Sequence, residues 1–291
     1  MTLRQHLARI LRNPSVVAVE LSWRWAFGAS ALALVAFAMI WLQRAVVILP
    51  EVQQMLASRA PLQVVEALLE IWQSVRPMAM RLGLIVVPAI TILWLIAATV
   101  GRGFVVNRVF ETGTRPRWSS LFALHVLRVV SVFALIGAYL ECSRATALVS
   151  DPESPNYFAA LLVFLILFSI AVALWSFVHW VISLACIFAA RDRSSTIASL
   201  RRTILLLRSE GRQLASAATL NGTARTLVAI LFSFLALFPL VFYRVPVVFW
   251  TLELAVLLVY CAVSDILLLA RLSAYVEIAI PQPSPATTSE N

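Results

Sequence analysis

The chain has 291 residues, of which 62% are hydrophobic and 13% charged, against roughly 45–50% and about 25% in ordinary soluble domains. A soluble core of this size cannot hide so much apolar surface, which excludes the two water-soluble domains that length alone would give. The formal charge of +9 comes with 23 basic side chains, all of them arginine, and these flank apolar runs as topology signals and anionic-lipid contacts do, not as a nucleic-acid patch does.

Residues 2–13 read as a short amphipathic helix on a membrane surface, with Leu3, Leu7, Ile10 and Leu11 in one stripe and Arg4, His6, Arg9 and Arg12 on the rest. Asn13-Pro14 stops it, because proline disfavours helix in its predecessor. The first long apolar run begins only near Ala26, after a long polar start, so no cleaved signal peptide is expected. The first span covers about 26–49, with Arg44 near its far end. Val65, Leu68, Leu69, Trp72 and Val75 then recur at helical spacing opposite Gln63, Glu66, Glu70 and Gln73, which predicts an interfacial helix.

The second span is about 78–100 and contains Pro88, and a basic connection over 101–118 leads to the third, about 119–140. Residues 141–156 read as a polar loop. The 34-residue apolar stretch 157–190 exceeds the 20 or so residues that a bilayer needs, so the fourth span must tilt or project past the interface, which Trp175 and Trp180 would mark. Residues 191–225 are the most basic segment. Ile197, Leu200, Ile204, Leu207 and Leu214 follow one helix face there, Arg201, Arg208 and Arg212 gather on another, and Asn221-Gly222 is the expected end. A fifth span of about 226–243 contains Pro239, a tight turn follows at Arg244-Val245-Pro246, and a sixth span runs about 247–271. The proline-rich tail from Pro281 is expected to be disordered.

Placing the N-terminus inside puts four arginines at the start, four in 101–118, seven in 191–225 and Arg271 on the inner side. The outer segments hold Arg59, Arg76, Arg144 and Arg244. This bias predicts that both termini are cytoplasmic, in a bacterial inner membrane. The resulting organisation is an N-terminal amphipathic segment at 1–25, a six-span domain at 26–271 and a cytoplasmic tail at 272–291. Each half of that domain reads span, surface helix, span, span, an order compatible with the inverted repeats of secondary transporters, although no residue-level similarity links the halves.

Charges within lipid are costly and therefore candidates for function. Arg128 lies well inside the third span with His125 three residues earlier on the same face. Glu253 and Asp265 lie in the sixth, where Glu253 could pair with Arg128 at similar depth, and Asp265 with Arg128 or Arg271. One reading makes Arg128, His125, Glu253 and Asp265 a proton path or anion site. The plainer reading, which carries more weight, makes them interhelical glue, since four such groups on two helices do not line a pathway. His179 beside Trp180 reads as an interfacial polar residue, and with Cys186 it is too little for a metal. Cys142, Cys186 and Cys261 show no paired spacing. There is no HExxH, GxSxG or P-loop, and no cofactor is implied.

The segment Ala190–Leu214, ARDRSSTIASLRRTILLLRSEGRQL, followed by the span from Thr226, resembles the membrane domain attached to some bacterial glycerophosphodiester phosphodiesterases and its stand-alone relatives. The resemblance covers the second half of the chain and rests on the order of elements: a fourth span, a cytoplasmic basic amphipathic helix, then a fifth span. No soluble segment of the sequence holds a phosphodiesterase domain, so the resemblance implies a non-catalytic membrane module.

The fold expected is all-α, a polytopic bundle of six transmembrane helices with amphipathic surface helices. The expected function is that of a non-enzymatic structural or accessory module. Its partners are anionic lipid head groups, contacted by Arg201, Arg208 and Arg212, and other membrane proteins or further copies of itself, with no nucleic acid. The alternative is a small-solute or ion transporter using Arg128, His125, Glu253 and Asp265.

Overall fold

The structure, a computed structural model, describes residues 3–45, 49–58, 60–110, 116–149, 156–242 and 244–279. Every regular element among them is helical: α1 (Leu3–Leu11), α2 (Pro14–Ala45), α3 (Pro50–Ala57), α4 (Pro61–Phe110), α5 (Trp118–Val149), α6 (Tyr157–Arg191), α7 (Thr196–Leu235), a 3-10 turn (Phe238–Phe242) and α8 (Pro246–Ala279). Six helical stretches are long and apolar enough to cross a membrane, so the chain is a multi-pass membrane protein with an all-α bundle. The tail from Pro281 and most of the polar connection after Val149 lie outside the described residues.

The helices run further than changes in polarity predict. The amphipathic segment 63–75 and the second span form one helix, α4, which continues through Pro77 and Pro88; neighbouring groups in membrane helices re-satisfy the carbonyls that proline frees. The third span does not end at Leu140. α5 runs to Val149 and carries an exposed Arg144–Glu141 ion pair of 2.7 Å one turn apart. Asn221-Gly222 does not end the basic helix either. Asn221 Nδ2 donates to the Ala217 carbonyl four residues back, and α7 continues to Leu235 with one distorted residue, Glu210. Pro239, expected inside a span, stands in the 3-10 turn. A proline has no N–H and clashes with the carbonyl four residues back, which here is that of Leu235, the last residue of α7.

The chain forms two compact units. Residues 23–98 make one, holding most of α2, α3 and the first part of α4. Residues 1–22 and 99–291 make the other, and its chemistry concerns the rest of the structure. In it α5 packs along α6, α6 along α7, and α7 along α8. Its core gathers at one end, where α4, α6 and α8 finish and α5 and α7 begin. Val106, Leu121, Leu124, Ile182, Ala185, Cys186, Ala189 and Ala190 form one buried cluster, with Leu200 packed against it. At Gly103 a Cβ would come within 2.5 Å of the Trp118 ring, so α4 meets the start of α5 at a distance only glycine allows.

The length of the helices explains why the core sits at that end. α5, α6 and α8 have 32, 35 and 34 residues, about 48–53 Å at 1.5 Å per residue, whereas the hydrocarbon layer is about 30 Å thick. A helix longer than that layer tilts or projects past it, and any apolar surface that projects is stabilised by burial against its neighbours. Along α6 the outward side chains Leu174, Phe177 and Val178 are exposed, and from Ile182 to Ala190 nearly everything is buried.

The N-terminal helix does not lie with its apolar stripe outward. α1 docks on α8, burying His6 and Ile10 and leaving Leu11 exposed. His6, expected on the polar face, turns inward because Glu277 offers a partner 3.7 Å from its Nδ1.

Candidate functional site

The corner between α6 and α7 is built by short-range hydrogen bonds. Asp192 closes α6 by donating its backbone N–H to Phe188, and Arg193 takes the left-handed conformation at φ 51. The Ser195 hydroxyl then accepts from the N–H of Ala198 to start α7. Arg202 reaches back to Asp192 at 2.6 Å. This fixes the direction of α7's first half, which packs inward through Ser199, Thr203 and Leu214, with Leu200 against the core cluster. Ile197 is 80% exposed, Ile204 is also exposed, and Arg201, Arg208 and Arg212 stand beside them on the outer surface. The stripe read from periodicity is therefore divided: Leu200 and Leu214 turn to the core, and Ile197 and Ile204 turn outward with arginines interleaved.

The second concentration of polar groups surrounds α6 between Trp175 and Ser183. Arg128 of α5 donates from Nη2 to the Ser183 hydroxyl at 2.7 Å, and that hydroxyl donates to the His179 carbonyl. The His179 ring lies 5.3 Å from the Trp175 ring, and both Arg128 and Arg271 are within electrostatic reach of His179. Trp180 Nε1 and Arg271 Nε both donate to the Tyr275 hydroxyl, at 2.9 and 2.8 Å, and the Arg271 guanidinium lies over the Tyr275 ring. Ser183 and Tyr275 were not singled out as partners in the sequence, and Arg271 was weighed only against Asp265. The visible signals were the surplus length of the fourth apolar run and the i,i+4 spacing of Arg271 and Tyr275.

These ties set the register of the helices and part Glu253 from Arg128 along the bundle. Arg128 is level with Ser183, and Trp180 with Tyr275. Glu253 precedes Tyr275 on α8 by 22 residues, about 33 Å along the helix. The Arg128–Glu253 pair expected at equal depth is therefore out of register. Asp265, ten residues from Tyr275 and so about 15 Å away, is buried beside Ser264, whose hydroxyl accepts from Arg225 of α7. Glu253 instead lines an open groove of about 280 Å³ between α7 and α8, with Phe232, Ser233, Val256 and Tyr260. His125 is 1% exposed in the apolar core region beside Leu124.

Arg128 lies 13 residues before Glu141 on α5, about 20 Å along the helix. Its bond to Ser183 gives the guanidinium a protein partner on α6. No protein-family model, curated protein or solved structure matches the chain.

Proposed function

We propose that the protein is a non-enzymatic accessory module of a bacterial inner membrane, with both termini cytoplasmic, that engages anionic lipid head groups through the outer face of α7. The observation that carries this reading is the exposure of Arg201, Arg208 and Arg212 beside Ile197 and Ile204, on a helix whose opposite face is held by the core. Arginine interleaved with isoleucine suits the boundary between tails and head groups, where the isoleucines enter the lipid and the guanidiniums reach phosphate. The arginine distribution supports the orientation. The resemblance of the 190–214 segment and its following span to phosphodiesterase-associated membrane domains agrees with a module that carries no catalytic site of its own.

The reading predicts that anionic lipid stabilises the protein through these side chains, at about 1 kcal/mol per arginine. In nanodiscs, adding phosphatidylglycerol to phosphatidylcholine should raise Tm, and the triple variant Arg201→Gln, Arg208→Gln, Arg212→Gln should lose most of the rise. A triple variant that keeps the full rise removes the α7 face from the account.

A further inference from the structure

We propose that the arginine-rich end binds one phosphate-bearing anion at the cluster of polar groups from α5, α6 and α8, held by Arg128, His179 and Arg271. This site is separate from the outer face of α7 and does not depend on it. α6 and α8 share no extended backbone interface; they meet here through the side-chain bond from Trp180 to Tyr275. Two guanidiniums come to this contact from different helices, Arg128 of α5 bonded to Ser183 and Arg271 of α8 bonded to Tyr275, and both charges reach His179.

Arg271 spends only its Nε–H on Tyr275. Its four terminal N–H groups face no carboxylate within ion-pair distance among the described residues. Asp265, six residues earlier on α8, is turned about 120° around the helix from it. Two further polar atoms at the site are buried without a hydrogen-bond partner among the described residues, Trp175 Nε1 and His179 Nδ1. A buried donor left unpaired costs free energy, and the Trp175 indole N–H, which can only donate, stands beside cationic groups that favour an acceptor the described residues do not supply. A phosphate oxygen accepts from indole N–H and from the Nδ1–H tautomer of histidine, and a second oxygen accepts from a guanidinium fork.

Depth points the same way. His179 follows Val178, the last exposed large apolar side chain of α6, and precedes Ile182, where burial begins. This is the level at which exposed apolar surface gives way to packed surface, where a phospholipid would place its phosphate against His179. Free phosphate from the aqueous side would meet the same donors.

The test uses the purified full chain in neutral detergent, titrated with dioctanoyl phosphatidylglycerol, with inorganic phosphate, and with dioctanoylglycerol, which has the same tails and no phosphate. Binding is followed by the rise in Tm. Saturable stabilisation by the phosphate-bearing probes and none by dioctanoylglycerol is expected, weakened at least tenfold in Arg271→Gln and in Trp175→Phe, which keeps the ring and removes the N–H. The α7 triple variant should bind as the native protein does, which separates failure of this site from failure of the α7 reading. Tighter binding of the lipid than of inorganic phosphate assigns the site to a head group, and the reverse assigns it to a soluble anion. Equal stabilisation by dioctanoylglycerol overturns the proposal. So does an undiminished affinity in folded Trp175→Phe, even if Arg271→Gln fails to fold.

Discussion

Leu124→Ala should destabilise the protein by about 2–5 kcal/mol, seen as a large fall in Tm in detergent, whereas Leu165→Ala should change it by about 0.5 kcal/mol or less. Both are leucines in long apolar helices, so composition does not distinguish them. Leu124 is fully buried between α4, α5 and α6, against Val106, Ile182 and Ala185, at the end where the helices outrun the lipid. There an alanine forfeits the transfer of apolar atoms from water and also leaves a cavity. Leu165 is 50% exposed on the part of α6 that faces lipid tails. A side chain there is surrounded by apolar neighbours whether or not the helices are assembled, so little is lost. Comparable falls for the two variants would mean that the stabilising core is not confined to the arginine-rich end.

The second large effect is at Arg128. Arg128→Ala should cut the yield of folded protein, because it removes the charge-assisted bond that ties α5 to α6 through Ser183, worth about 1.5–3 kcal/mol. Ser183→Ala removes the same bond from the other side. A double-mutant cycle on this pair should give a coupling of similar size, since each single variant already breaks the contact. The transporter reading makes the opposite prediction: normal yield with abolished solute flux. A coupling near zero with normal yield would favour that reading and assign Arg128 to transport.

Much of the architecture was legible because lipid imposes a simple rule: spans must be long, apolar and helical. The six spans, the start of α6 after Asn156 and its overlong body all follow from it. The breaks placed inside α4, α5 and α7 did not survive, for one reason. A change from apolar to amphipathic pattern marks a change of surroundings, and a helix crosses such a change without interruption when its backbone bonds continue. Asn221 shows this: it can terminate a helix, yet here it bonds back into one. Pro239 was the more reliable sign, because its effect on the preceding turn is steric.

The polar site was less legible. Arg128 stood out as a charge within an apolar run, but its partner depended on the register of antiparallel helices, which no single-chain pattern fixes. Equal distance from predicted span ends matched Arg128 with Glu253. Once α8 proved to run to Ala279, eight residues past the expected end of the last span, that match slid by several turns. The same shift explains why Tyr275 was overlooked: it fell outside the predicted membrane domain and proved to be the hub between α6 and α8. The i,i+4 spacing of Arg271 and Tyr275 was in plain view and would have flagged them as neighbours on one face.

The central claim is a six-span protein whose arginine-rich end faces the cytoplasm, and cysteine accessibility tests it most directly. Single cysteines at Thr114, Ser154 and Ser195, in a background lacking Cys142, Cys186 and Cys261, would be probed on intact cells with a membrane-impermeant thiol reagent. Labelling at Ser154 alone is the predicted result, and it puts the α6–α7 corner and the anion site on the inner side together. Labelling at Thr114 or Ser195 with Ser154 protected would contradict the account, because the basic face of α7 would then meet the outer leaflet.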